Sequence, residues 1–137
     1  MCEVNMIEGG CFCGALRYVI TGNPMYETNC HCSICRRVSG APYLTWFTVK
    51  KTAFMLLKGT PQRFRSSVGG ARGFCAICGT HLFYENSGSD EEIDVTTCSL
   101  DNVEQFPPKD HTWVKSKPTW VHIADGLVQH EESPYDE

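Results

Sequence analysis

The chain lacks any run of about 18 apolar residues, and with it any candidate membrane-spanning helix. Its first ten residues carry Glu3 and Glu8 and no long apolar stretch, so no secretory leader is expected. Internal repeats, low-complexity runs and long linkers are also missing, which leaves one domain as the expectation for 137 residues. Basic charge is scarce: 12 Lys and Arg stand against 16 Asp and Glu, a formal charge of −4. Seven ionised thiols would lower that to −11, and two Zn²⁺ ions would return it to −7. So acidic a chain repels nucleic acid and anionic membranes overall, although a local basic patch stays open.

One residue type is abundant. There are nine cysteines, and seven of them fall into three tight clusters: Cys11-x-Cys13, Cys30-His31-Cys32-x-x-Cys35 and Cys75-x-x-Cys78. An odd count, arranged in C-x-C and C-x-x-C pairs in a chain with no visible export signal, favours reduced, metal-bound thiols over a disulfide framework. It also implies a cytoplasmic setting. Cys2 and Cys98 receive no role.

Between the cysteines the chain reads as short strands punctuated by Gly and Pro turns. Ala15 to Thr21 alternates, placing Leu16, Tyr18 and Ile20 on one side of a half-buried strand. Met25 to Asn29, Tyr43 to Val49, Phe54 to Leu57, Arg63 to Ser67, His81 to Glu85 and Ile93 to Thr97 are further strands, with Asn86 to Glu92 a polar loop. Ser33 to Ser39 allows one or two helical turns ended by Gly40. Val68-Gly69-Gly70 reads as a turn into the Cys75 pair, and Asp101 to Pro108 is irregular, Pro107-Pro108 ruling out a regular element there. Trp113, Pro118 and Trp120 are expected to wrap over the core. The fold class is therefore all-β with at most one or two short helical turns. Its parts are an N-terminal extension over 1–8, a zinc-binding β domain over 9–128 and a mobile acidic tail over 129–137. Whether aromatic strands such as Tyr43 to Phe47 are core or oligomer interface is left open.

Zinc is borderline-soft and takes sulfur ligands tetrahedrally at about 2.3 Å. Two knuckles supply four sulfurs, so the economical assignment joins Cys11, Cys13, Cys75 and Cys78 in a closed structural site, although spacing alone permits other pairings. Cys30, Cys32 and Cys35 then form a three-sulfur site with a fourth position for water or substrate. Three thiolates leave a net negative site that suits an incoming soft thiolate better than a hydrolytic water. The competing reading is a second structural zinc, completed by His31, Cys98, His81 or His111. His31 lies between two ligands and is expected to point away from the metal, as a nearby proton donor. Arg36 and Arg37 either offset the anionic cluster, clamp a carboxylate or face solvent, and Arg72 is a weaker candidate of the same kind.

With these residues in hand, the chain resembles the glutathione-dependent formaldehyde-activating enzyme family, which includes the centromere protein V group. The pieces that carry the resemblance are Gly-x-Cys-x-Cys-Gly at 9–14, Cys-His-Cys-x-x-Cys-Arg at 30–36 and Arg-x-Phe-Cys-x-x-Cys-Gly-Thr at 72–80. Weaker ones are Ser99-Leu100-Asp101, Trp120 and Asp125-Gly126-Leu127. The resemblance implies a tent-like fold of small β-sheets and two zinc ions, a structural one on Cys11, Cys13, Cys75 and Cys78 and a catalytic one on Cys30, Cys32 and Cys35. It implies addition of glutathione to formaldehyde, a carbon–sulfur lyase reaction in reverse, with glutathione or another small thiol as partner. The alternative kept beside it is a non-catalytic zinc module that binds a protein.

Overall fold

Alternating apolar and polar residues make most of this chain into strands, and the strands form two sheets. The computed structural model describes residues 6–86 and 89–135. In chain order the first half supplies β1 (Met6–Gly10), β2 (Arg17–Thr21), β3 (Met25–Cys30), the helix α1 (Ser33–Ser39), β4 (Leu44–Lys50), β5 (Phe54–Lys58) and β6 (Gln62–Ser67). The second half supplies β7 (Gly70–Phe74), β8 (His81–Asn86), β9 (Ser89–Thr96), β10 (Asp110–Thr112) and β11 (Val128–Gln129). One sheet has the order β1-β2-β5 and the other β11-β10-β3-β4-β9-β8-β7-β6. The expected all-β class holds, with α1 and three short 3-10 turns as its helical content.

Register decides which side chains go inward. Phe47, Val95, Phe83 and Gly73 pair across β4, β9, β8 and β7 and so share one face of the large sheet. Phe47, Phe83 and Val95 pack there with Tyr18, Ile20, Val49 and Leu82 in the main core. One residue along, Thr48, Asp94, Tyr84 and Arg72 pair in the same way and face the opposite side. That second row is polar and aromatic. It forms a wall of the cleft described below.

Three differences from the sequence reading have physical causes. β2 is not half-buried: Val19 is covered as well as Tyr18 and Ile20, because β2 is the central strand, with Glu8 and Met55 as its neighbours. β7 starts at Gly70, the last residue of the expected turn, and runs through residues for which no strand is expected, since two glycines depress its strand propensity. Those glycines are required by packing, since a Cβ at Gly73 would sit 2.2 Å from the Phe83 ring and one at Gly70 would sit 2.4 Å from the Ser67 hydroxyl. β9 begins at Ser89, so the expected polar loop before Ile93 is largely strand.

The two shortest strands, β10 and β11, run parallel to their neighbours and carry no readable alternation. They bring the C-terminal segment onto the sheet edge. His130 N donates to His111 O at 2.8 Å, Lys115 pairs with Glu132, and the Tyr135 hydroxyl donates to Asp110. The stretch 129–135 is thus tied to the domain at several points; Cys2, Asp136 and Glu137 lie outside the described residues. β1 likewise starts at Met6, within the stretch read as an extension. Among the described residues no helix is long and apolar enough to cross a membrane.

Candidate metal centres and an adjoining cleft

The first knuckle follows β1, and the second follows β7. Their four sulfurs, from Cys11, Cys13, Cys75 and Cys78, all lie within 4.8 Å of one another. The Cys11–Cys13 and Cys13–Cys75 sulfur separations are 3.6 and 3.7 Å. A tetrahedron with metal–sulfur bonds of 2.3 Å has edges of about 3.8 Å, so the spacing fits zinc. Backbone amides complete each knuckle: Leu16 N donates to Cys11 Sγ at 3.2 Å and Cys78 N to Cys75 Sγ at 3.4 Å. Thr80 links the two, its hydroxyl accepting from Phe12 N at 3.0 Å and touching Cys78 Sγ at 3.2 Å. The economical pairing of knuckles is the one the fold brings together.

The second cluster is local. Cys30 ends β3, Cys32 caps α1 by accepting from Cys35 N at 3.2 Å, and Cys35 lies in the first turn. Gly40, in the left-handed region at φ 65°, ends the helix as its sequence suggests. The three sulfurs lie within 4.8 Å of one another, and Cys35 and Cys30 are 3.4 Å apart. Hydrogen bonds from the Cys30 and Cys35 thiols hold the Cys32 thiol down to about 2, while its neighbours push Cys30 up. A soft divalent cation would allow all three to ionise, so the donor set fits such an ion.

Among the described residues no fourth histidine, cysteine or carboxylate joins this trio. Cys98 is exposed at the end of β9. His81 packs its ring edge-on against Trp46, and burial, followed by the nearby Arg72 charge, lowers it to about 4. His31 is fully buried and turns to His111, with Nε2 2.9 Å from Nδ1 of that ring, and His111 Nε2 is 2.8 Å from Asp125. Burial and the His111 charge lower His31 to about 4 as well, so it is neutral at pH 7. As expected, it is no member of the sulfur cluster.

Cys30 and Cys35 open on a cleft of about 680 Å³. Trp46 forms a buried cluster with Cys30 and Cys35, and Tyr84 and Trp113 pack against that cluster. Thr48, Glu92, Asp94 and Arg72 continue the lining, and Tyr26, Ser133 and Tyr135 close another side. Tyr26 and Tyr135 stack with ring centroids 4.6 Å apart. Arg36 and Arg37 do not line this cleft. Arg36 donates to Ser116 O at 2.8 Å, and both arginines border a separate shallow depression with Pro42 and Trp120. The cleft wall was in principle readable from the alternation of Trp46 and Thr48 in β4 and of Glu92 and Asp94 in β9. The polar members of an otherwise apolar strand had to face something wet. The contribution of Tyr135, far along the chain, had no such signal.

Comparison with known proteins places these motifs in a family context. A family model described as glutathione-dependent formaldehyde-activating enzyme matches residues 6–116. A Halomonas elongata protein named "Putative glutathione-dependent formaldehyde-activating enzyme" is 26% identical, over 86% of this chain and 81% of its own length. A Rhodobacter sphaeroides protein of known crystal structure shares the fold, with a TM-score of 0.61 at 19% identity, over 90% of this chain and 99% of the other.

Proposed function

Because the chain belongs to the glutathione-dependent formaldehyde-activating enzyme family, we propose that it joins glutathione, or a similar small thiol, to a small carbonyl such as formaldehyde, or splits that adduct. In the forward direction a bond forms between sulfur and the carbonyl carbon while the C=O π bond breaks. The proton that leaves the thiol ends on the new hydroxyl, and no oxidant or reductant takes part. The reverse is a carbon–sulfur lyase reaction.

Cys11, Cys13, Cys75 and Cys78 are assigned to a structural zinc, and Cys30, Cys32 and Cys35 to a catalytic one. An ion at the second position would favour the thiolate form of an incoming thiol at neutral pH. The observation that carries the reading is the open trio: three sulfurs gather no fourth side chain among the described residues, and two of them border a cleft large enough for a tripeptide-sized ligand. Trp46, Trp113 and Tyr84 restrict water beside the sulfurs. His31, between Cys30 and Cys32 in the chain, is the inner end of a buried hydrogen-bonded chain through His111 to the half-exposed Asp125, and its place beside the trio makes it the candidate proton carrier. A reducing cytoplasm suits so many free thiols.

The deciding experiment replaces Cys32 by Ser and follows S-hydroxymethylglutathione formation by NMR. Turnover should vanish, the far-ultraviolet circular dichroism should stay, and bound zinc should fall from two per chain to one. Undiminished turnover sinks the mechanism. A second reading, a zinc module that docks a protein, draws on Phe12 and Ile77, which stand 94% and 78% exposed on the two knuckles. Glutathione titrated into the zinc-loaded protein separates the two, since a docking module gives no heat.

A further inference from the structure

Arg72 is the one cation among the described residues that line the cleft, and it is only 8% exposed. Its Nε donates to the Ser66 hydroxyl at 3.2 Å. The guanidinium lies over two rings, 5.9 Å from the Trp46 centroid and 5.0 Å from that of Tyr84. Its Nη1 is buried and finds no hydrogen-bond acceptor. A buried guanidinium with an unmet donor is costly, and aromatic faces offset only part of that cost because they accept no strong hydrogen bond. What the site lacks is an anionic acceptor.

The same two rings tie this cation to the sulfurs. Trp46 forms one buried cluster with Cys30 and Cys35, Tyr84 packs against that cluster, and both rings lie under Arg72, so the aromatic pair stands between the cation and the trio. We infer that Arg72 anchors a carboxylate of the bound thiol, with Nη1 donating to it while the thiol sulfur reaches the trio; this rests on the trio being the thiol site. A planar guanidinium suits a carboxylate, and one fixed in place by rings and by Ser66 loses little freedom on binding. Glu92 and Asp94 line the same cleft and disfavour a ligand carrying several negative charges, such as a nucleotide thiol. They favour one that also carries an ammonium. The ligand class is thus an amino-acid or small-peptide thiol with a carboxylate and an ammonium, and Arg72 is the residue that selects it.

The test uses the zinc-loaded protein in calorimetric titrations with glutathione, glutathione diethyl ester and 2-mercaptoethanol. Loss of a charged hydrogen bond predicts that wild type binds glutathione about 10- to 100-fold more tightly than the diester. Arg72→Met should erase that difference and leave 2-mercaptoethanol binding unchanged, and Arg72→Lys should restore part of it. Equal wild-type affinity for glutathione and its diester overturns the inference. So does a variant that weakens 2-mercaptoethanol as much as glutathione, because Arg72 then serves only to balance the thiolates. If Arg72→Met fails to fold, the wild-type ester comparison decides alone. Binding of none of the three thiols would instead overturn the thiol-site reading itself.

Discussion

The two cysteine clusters use the same donor atom in opposite ways. The four-cysteine cluster is built from segments more than 60 residues apart, and two of its members, Cys13 and Cys78, are exposed. It joins the end of β1 in the small sheet to the end of β7 in the large one. The three-cysteine cluster lies within one strand end and one helical turn, with Cys30 and Cys35 buried beside the cleft. A metal held between distant segments constrains the unfolded chain and contributes to stability. A metal held by neighbours constrains little and is free to serve chemistry. The two clusters thus differ both in the number of sulfurs they gather and in how far apart along the chain those sulfurs lie.

The largest effect should come from breaking the long-range site. Cys75→Ser should cost several kcal/mol, toward the roughly 10 kcal/mol of small structural zinc modules, and should appear as a collapse of the denaturant midpoint. Cys32→Ser should leave that midpoint nearly in place. Equal losses in the two variants would erase the distinction.

Metal removal probes the same contrast without mutation. A mild chelator should strip one zinc per chain, with loss of turnover, before the second leaves with loss of fold. Simultaneous release followed by metal analysis and circular dichroism would count against an open trio.

Acid should act on the cleft side through His81. Its folded value, about 4, lies below the ordinary 6.5, so the unfolded chain takes up this proton first. Stability is therefore lost as pH falls from about 6.5 to about 4, by no more than about 3 kcal/mol. His81→Phe should flatten the part of the stability–pH curve that remains after metal release is matched between the proteins. Parallel curves would remove His81 from the account.

The smallest effect concerns the C-terminal segment, which lies beyond the residues of the family match. Tyr135→Ala should raise KM for glutathione several-fold while kcat and zinc content stay put, because Tyr135 lines the cleft without approaching the sulfur cluster. A fall in kcat at constant KM would give it a different role.

Much of this could be read before any coordinates, and the reasons are local. The knuckle spacings, the helix from Ser33 to Ser39 with its Gly40 stop, and the strands β3 to β6 each depend on neighbours within a few residues. β7 was hidden because its glycines serve the Phe83 ring across the sheet, a partner that no local pattern names. Arg72 sits in that strand, so its place on the cleft wall carries no local signal either. Arg36 and Arg37 drew attention by lying next to the trio in sequence, yet neither lines the cleft.

Sequence by itself determined which sulfurs cluster, because cysteines two or three residues apart meet within one turn whatever the rest of the chain does. Tertiary structure decided which knuckles share a site, which arginine lines the cleft, and that Tyr135 returns to wall it. Those outcomes depend on strand register and pairing order, where a shift of one residue turns every side chain to the other face.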